Sequence, residues 1–155
     1  MVKVLKGLTL FCLLGLCVFA YERADANNSQ YYRQYYGGWN YYPQYRYYYR
    51  SYYYKPYSSY GGYRQHYCVY YPSYSQHVYY YNPYQRVYWG RLDVQGKEGA
   101  QYSLLAEDDR KGKLADIPED KFPKPGPMPT VPESEDGTAI TPPPDLDDLP
   151  KEPPQ

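Results

Sequence analysis

Tyrosine and arginine are the residues whose chemistry dominates this chain. Residues 31–88 form a Tyr block in which 25 of 58 residues are tyrosine, six are lysine or arginine, and none is acidic. Phenol rings pair with one another and with cations, and an exposed Tyr–Arg contact contributes about 0.5 to 1 kcal/mol. Phenols are also oxidised to dityrosine or, after hydroxylation, to adhesive catechols. The Tyr block therefore predicts cohesion between chains.

The candidates for cohesion and cross-linking are the tyrosines that occur in triplets and two arginines beside them. Exposed rings on a flexible chain would couple to one another in the presence of an oxidant outside the cell. Without oxidation, many weak Tyr–Arg and Tyr–Tyr contacts would add up to hold chains together. Stacking on an envelope polysaccharide is a further use of the same rings. The candidates are Tyr47, Tyr48, Tyr49, Tyr52, Tyr53, Tyr54, Tyr79, Tyr80, Tyr81, Arg46 and Arg50.

Cysteine and histidine show no pattern typical of catalysis. Cys68 is the one cysteine after the predicted signal peptide. An odd cysteine in an exported chain indicates an intermolecular disulfide or a reactive thiol, with an idle residue as the alternative. His66 and His77 lack the Cys/His set of a metal site, and neither a phosphate-binding glycine motif nor a nucleophile arrangement occurs. The sequence predicts no enzyme, cofactor or metal.

Residues 1–26 have the pattern of a secretory signal peptide. Lys3 and Lys6 precede an uncharged run from 7 to 20, which falls short of the ~18 or more apolar residues of a spanning helix. Small residues favour cleavage after Ala26, with cleavage after Ala20 or an uncleaved anchor as alternatives. We expect a signal-peptide helix, no stable membrane span after cleavage, and secretion or location in the cell envelope. Export also argues against a nucleic-acid partner.

Composition argues against an ordinary core. The hydrophobic content of 43% includes 27 tyrosines, and the mean hydropathy is -0.89. A buried tyrosine needs a partner for its hydroxyl, so a tyrosine core would need dozens of partners. Glycine and proline recur about every ten residues in the Tyr block, and they interrupt the tyrosine runs before these reach typical strand length. We therefore expect a mostly intrinsically disordered chain.

The stretch at residues 78–105 is the exception, because it predicts a small antiparallel β segment of two or three strands. Alternation places Tyr88 and Leu92 on one side of the second strand and Trp89 and Arg91 on the other. The strands are expected at 78–81, 86–94 and 100–105, with a turn at 82–85.

Charge divides the chain in two. Residues 31–91 carry seven lysines or arginines and no acid, whereas residues 92–155 carry 15 acids and seven lysines or arginines. Twelve of the last 38 residues are proline, which predicts an extended disordered tail. This acidic tail is expected to fold back onto the Tyr block or to bridge to another copy, so self-association is expected.

The sequence divides into four predicted regions. They are 1–26 (signal peptide), 27–77 (Tyr-rich low-complexity basic block), 78–117 (β junction) and 118–155 (acidic Pro-rich tail).

The segments 78–93, 101–107 and 122–129 carry a resemblance. Together with the Tyr clusters, they resemble an uncharacterised group of short secreted Tyr-rich bacterial proteins, which implies export but no assigned activity. The composition of the Tyr block is similar to that of adhesive and eggshell proteins that harden by tyrosine oxidation. A faint similarity of the residues around Asn82 to WW-type peptide-binding modules lacks the first-strand tryptophan, because Trp39 lies too far away.

The sequence thus predicts a secreted or envelope-associated structural protein that coheres through Tyr–Arg contacts, with tyrosine oxidation as a further means. One alternative is a small extracellular module at 78–117 that binds a glycan or a peptide. The other is an exported low-complexity chain without a specific function.

Overall fold

Seven β-strands form the scaffold of the part of the chain that the structure describes. The computed structural model describes residues 33–152 and residue 154, so the predicted signal peptide and its cleavage after Ala26 lie outside the described residues. The strands are β1 (Gln34–Tyr36), β2 (Asn40–Tyr42), β3 (Tyr47–Tyr54), β4 (Arg64–Tyr70), β5 (His77–Asn82), β6 (Val87–Lys97) and β7 (Ala100–Leu104). Short 3-10 turns occur at Pro72–Tyr74, Glu107–Asp109, Leu114–Asp116, Glu119–Lys121 and Leu146–Asp148. Within the described residues no helix has the length and apolarity needed to cross a membrane.

All seven strands belong to one antiparallel sheet. The order is β1-β3-β4-β5-β6-β7, and β2 also pairs with β3. Gln34 pairs with Tyr54 and Asn40 pairs with Tyr49, so the registers of β1 and β2 on β3 differ by one residue. Between them the amide of Gly37 donates to the carbonyl of Ser51 at 2.8 Å. The first two strands are therefore two halves of one irregular edge.

The expected disorder was wrong, because the Tyr block forms most of this sheet. β3 is eight residues long and lies between Pro43 and Pro56. Glycine and proline occupy the connections, and the spacing between them equals the length of an ordinary strand. The glycine and proline residues that interrupt the tyrosine runs form the turns that join the strands.

Two hairpin turns share one design. Each has four residues, begins with proline and ends with an arginine of positive φ, which is 53° at Arg46 and 58° at Arg86.

The structure confirms the three strands predicted in the junction, and the turn after Tyr81, to within a few residues. These strands belong to a larger sheet than the predicted segment of two or three strands.

The predicted sides of β6 were wrong because a bulge interrupts its pairing with β5. Tyr80 pairs with Gly90 and Tyr81 pairs with Tyr88, which leaves Trp89 as the extra residue. An added residue reverses the alternation of side chains. Trp89 therefore packs with Leu92 on one face, while Tyr88 lies on the other.

Alternate residues of β3 face opposite sides of the sheet, and both sides are covered in part by the chain that follows β7. We call one side the tail face; its buried members include Tyr48, Tyr52, Tyr54, Cys68, Tyr70, Val78, Tyr80, Trp89, Leu92 and Tyr102. We call the other the groove face; its buried apolar members on the sheet are Val69, Tyr79 and Tyr88.

The tail is also ordered, contrary to its predicted disorder. Ile117 and Phe122 pack on the groove face, and Val131, Ile140 and Leu149 pack on the tail face. Between these two parts Gly126 exchanges hydrogen bonds of 2.8 and 2.9 Å with Tyr102 on β7. The tail thus pairs with the edge of the sheet between the segments that cover its two faces.

Tyrosine hydroxyls on the tail face find partners in the tail and in polar neighbours. The Tyr36 hydroxyl donates to the carbonyl of Thr141 at 2.7 Å, and that of Tyr48 donates to the carbonyl of Glu152 at 2.6 Å. The hydroxyl of Tyr52 donates to the side chain of Gln34 at 2.8 Å. A tyrosine core is therefore possible because an extended backbone supplies the acceptors.

Truncating Ile140 tests whether the tail packs as described. Ile140 is 2% exposed, so we expect Ile140→Ala to lower the free energy of unfolding by about 2 to 4 kcal/mol through lost burial and the cavity left behind. Leu104→Ala is the control, because Leu104 is 45% exposed and should cost less than about 1 kcal/mol. Urea unfolding at pH 7 measures both, and an unchanged midpoint for Ile140→Ala would mean that the tail is not packed.

Acid should weaken the fold through His66. His66 is buried, its Nε2 lies 3.1 Å from the Tyr54 hydroxyl, and its ring packs against Trp89. Burial, with a smaller effect from the charge of Arg64, lowers its pKa from 6.5 to about 4. Between these values the unfolded chain takes up a proton that the folded chain excludes, so stability present above pH 6.5 is lost as the pH falls towards 4.

The expected loss is about 3 kcal/mol between those two pH values. Urea unfolding at several pH values measures it, and His66→Gln, which keeps a polar group beside Tyr54, should show a shallower decline. Carboxylates titrate in both proteins, so the difference between their two curves of stability against pH isolates the contribution of His66. Parallel curves would contradict the assignment.

Candidate binding groove

The predicted cross-linking tyrosines are parts of the sheet and not an exposed row. Tyr48, Tyr52, Tyr54, Tyr79 and Tyr80 are buried. Tyr47, Tyr49, Tyr53 and Tyr81 are half-buried. Among the described residues, the most exposed tyrosines lie outside the triplets, at Tyr45, Tyr74 and Tyr84.

The two candidate arginines have different places. Arg50 is buried on the tail face, where its guanidinium carbon lies 5.0 Å from the Trp39 ring centre and its Nε donates to the carbonyl of Gly37 at 2.8 Å. Arg46 is exposed in the turn between β2 and β3. Other cation–π contacts, such as Arg64 with Tyr60, also form within the chain. These pairs stabilise the fold itself.

Cys68, the candidate for an intermolecular disulfide, is a free cysteine in the tail-face core. It has no exposed surface, and burial raises the pKa of its thiol well above the ordinary value. A disulfide to a second chain would require the fold to open, because the reactive thiolate forms only at exposed sites of lowered pKa.

An open groove runs over the groove face. It consists of two adjoining cavities of about 620 and 610 Å³ that share Tyr45, Tyr47, Tyr88 and Gly112. The sheet supplies the floor, and residues 112–119 supply one wall. The other lining tyrosines are Tyr42, Tyr49, Tyr67, Tyr71, Tyr74, Tyr79 and Tyr81.

Most neighbouring rings in the groove meet edge to face. The rings of Tyr47 and Tyr71 are 5.4 Å apart at 63°, and those of Tyr79 and Tyr88 are 6.3 Å apart at 83°. Tyr49 and Tyr67 meet at 83°. Edge-to-face pairs are a favoured aromatic geometry, and they produce a ridged surface with slots between the rings.

The hydroxyls of Tyr47 and Tyr88 in the groove stay protonated at neutral pH and are therefore available as donors. Burial, reinforced by neighbouring phenols, raises the pKa of Tyr47 to about 12. Burial and a hydrogen bond with Tyr71 raise the pKa of Tyr88 further. The groove thus offers apolar slots bordered by hydroxyl groups.

A third cavity of about 400 Å³ adjoins the groove and shares Tyr74, Tyr79 and Glu119 with it. Here Arg91 is 8% exposed, and two of its nitrogens donate to the two carboxylate oxygens of Glu119 at 2.8 and 2.5 Å. The hydrogen bond from Arg91 lowers the pKa of Glu119. The pair remains ionised at neutral pH.

Sequence reasoning missed the groove because its residues come from two predicted regions. Tyr45 and Tyr47 belong to the Tyr-rich block, whereas Tyr88 and Gly112 belong to the junction. The available indication was the alternation of β3, which carries tyrosine at 47 and 49 as well as at 48, 52 and 54. A strand with large side chains on both sides needs two packed faces.

Among the described residues no group of three or more His, Cys, Asp or Glu side chains comes together in a way that would hold a metal ion. Comparison of the chain with protein-family models, with curated proteins and with solved structures gives no match. The function is therefore inferred from the groove itself.

Proposed function

We propose that the protein is a binding protein whose tyrosine groove takes an extended, proline-rich peptide segment of a partner. Proline rings fit slots between aromatic side chains, and a polyproline II segment has no internal hydrogen bonds, so its carbonyls are free to accept. The groove supplies both features, the slots through its edge-to-face rings and the donors through its tyrosine hydroxyls. The proposal keeps the peptide ligand of the module predicted at 78–117 but places the site in a groove that also includes residues between 42 and 74.

The observation that carries the proposal is the way the tail face holds the chain's own proline-rich tail. Tyr36 and Tyr48 donate their hydroxyls to tail carbonyls, and Arg50 donates to the carbonyl of Pro144 at 3.2 Å. Pro143 is buried beside them. The same sheet therefore already binds an extended proline-rich chain through tyrosine on one face, and the groove presents the same residue type on the other.

A polysaccharide fits the two tyrosine cavities less well. Sugar rings stack on flat, exposed aromatic faces and need planar polar side chains for their hydroxyl groups. In the part of the chain that the structure describes, the charged residues lining these two cavities are Lys113 and Glu119. Edge-to-face rings with few polar side chains favour a peptide.

A neutral proline-rich peptide tests the groove. The probe is residues 139–150 of this sequence with Asp145, Asp147 and Asp148 replaced by asparagine, blocked termini and a fluorescent label. We expect saturable binding, weakened about tenfold in Tyr45→Ser/Tyr74→Ser because two aromatic contacts of about 0.5 to 1.5 kcal/mol each are lost. Fluorescence anisotropy measures the affinity.

Two controls accompany this titration. Tyr84→Ser removes an equally exposed tyrosine from the other proline turn, outside the groove, and should bind like the unaltered protein. Tyr36→Phe weakens the tail's own docking on the opposite face and should leave groove binding unchanged. Binding that responds to Tyr36→Phe and not to the groove variant would mean that the probe replaces the tail, and would contradict the proposal.

Oxidative cohesion is a second candidate function, favoured by the exposure of three tyrosines at turns. Tyr45, Tyr74 and Tyr84 are 60%, 64% and 66% exposed. A peroxidase with peroxide removes one hydrogen atom from each of two phenols, and the radicals join at ring carbons to form dityrosine. The predicted export would place the chain where such oxidants act.

Peroxidase treatment should therefore link folded copies through these turn tyrosines. We expect dityrosine fluorescence and covalent dimers, reduced to a small fraction in Tyr45→Phe/Tyr74→Phe/Tyr84→Phe because phenylalanine does not couple. Peptide mapping of the dimer locates the bonds. Equal yields in the triple variant, or links that map to buried Tyr52 and Tyr80, would contradict cohesion by the folded protein.

A further inference from the structure

The polar cavity at the end of the groove has a chemistry different from the tyrosine slots. Beside Tyr74 and Tyr79 it is lined by Ser73, Ser75, Gln76, His77, Arg91 and Glu119. It adjoins the groove through Tyr74, Tyr79 and Glu119. A peptide lying in the groove would therefore place a neighbouring side chain in this cavity.

Arg91 is held in position independently of Glu119. Its guanidinium carbon lies 4.0 Å from the centre of the Phe122 ring, which fixes the plane of the group. The side chain is 10% exposed, and its Nε is buried without a hydrogen-bond partner among the described atoms. A planar, oriented guanidinium is suited to bidentate binding of a carboxylate.

Glu119, by contrast, is the exposed member of the pair. Its side chain is 77% exposed, against 10% for that of Arg91. It begins the 3-10 turn Glu119–Lys121, which follows Pro118 and buries none of its own residues. A buried arginine must stay paired, but nothing in this geometry requires that the carboxylate come from Glu119.

We propose that Arg91 recognises a side-chain carboxylate of the bound peptide, and that Glu119 is an internal stand-in that the ligand's carboxylate replaces. This inference rests on the proposed function and narrows it, because the ligand becomes an acidic proline-rich segment. The chain's own tail has this composition at residues 142–148, where three prolines precede three aspartates. A second copy therefore carries one segment of the required chemistry.

Removing the stand-in charge tests the inference. The acidic probe is residues 139–150 with their natural aspartates and blocked termini, and the neutral probe described above is its matched partner. Glu119→Gln should bind the acidic probe about fivefold more tightly than the unaltered protein, since a charged partner of Arg91 outcompetes a neutral amide. The affinity for the neutral probe should change much less, because its asparagines offer Arg91 no negative charge.

Asp120→Asn is the matched control, because Asp120 is an exposed acid in the same turn. It removes the same charge without freeing Arg91, so both affinities should stay close to those of the unaltered protein. In Glu119→Gln/Arg91→Lys, which keeps the cation but lacks the planar fork, the gain should disappear. Thermal unfolding confirms that each variant is folded.

The two proposals fail in different ways. If Glu119→Gln and Asp120→Asn strengthen acidic binding equally, or if neither does, the role of Arg91 is overturned while groove binding of the neutral probe still stands. If neither probe binds any of the proteins, the groove itself is overturned. Binding of the acidic probe that depends on Tyr36 would assign it to the tail face and overturn the inference.

Discussion

The hydroxyl group of each buried tyrosine is the constraint on which the structure depends. A phenol ring gains free energy by leaving water, but an unsatisfied hydroxyl loses about 1 to 3 kcal/mol of it again. On the tail face the acceptors are carbonyls of an extended tail, as for Tyr36 and Tyr48, or the side chain of Gln34. The hydroxyl of Tyr54 forms a hydrogen bond with His66, and that of Tyr102 is the exception, buried without a partner among the described atoms. Proline suits this role, because it keeps the backbone extended and leaves carbonyls without intrachain donors. The Tyr block and the Pro-rich tail therefore form one folding unit.

The charge asymmetry of the sequence contributes less to the stability of the fold than its size suggests. Arg64 pairs with Glu133, but both side chains are exposed, and such a surface pair contributes about 0 to 1 kcal/mol. Arg91 is buried and pairs with Glu119, where the cost of removing the arginine from water offsets much of the attraction. Arg50 uses carbonyl groups instead of carboxylates. Apolar burial of residues such as Ile140 contributes more, at about 1.5 to 3 kcal/mol for each side chain. The acidic tail is thus attached chiefly by its few apolar residues and by tyrosine hydrogen bonds.

Local signals in the sequence located the junction strands, and the same signals were present in the Tyr block. The turn after Tyr81 was predictable because Asn82-Pro83 is typical of turns, and Tyr42-Pro43 is its counterpart forty residues earlier. What the sequence did not show was the source of the hydroxyl partners. The carbonyls that accept from Tyr36 and Tyr48 lie about a hundred residues further along the chain, at Thr141 and Glu152, and no local pattern predicts such distant pairs. The bulge that places Trp89 on the tail face is likewise set by pairing between strands.

The two faces of the sheet carry the same residue type and differ in how they are covered. On the tail face residues 128–149 close over the rings, whereas on the groove face residues 105–122 cover one part and leave Tyr45 and Tyr74 exposed. Exposed apolar surface of this kind is retained at a cost in solubility, and it commonly marks a binding site. The tyrosine hydroxyls on the groove face are weak hydrogen-bond partners for one another, since those of Tyr71 and Tyr88 lie 3.4 Å apart. The extended peptide that we propose as the ligand would supply the carbonyl acceptors that the tail supplies on the opposite face, so the proposal applies to the groove the same requirement that stabilises the core.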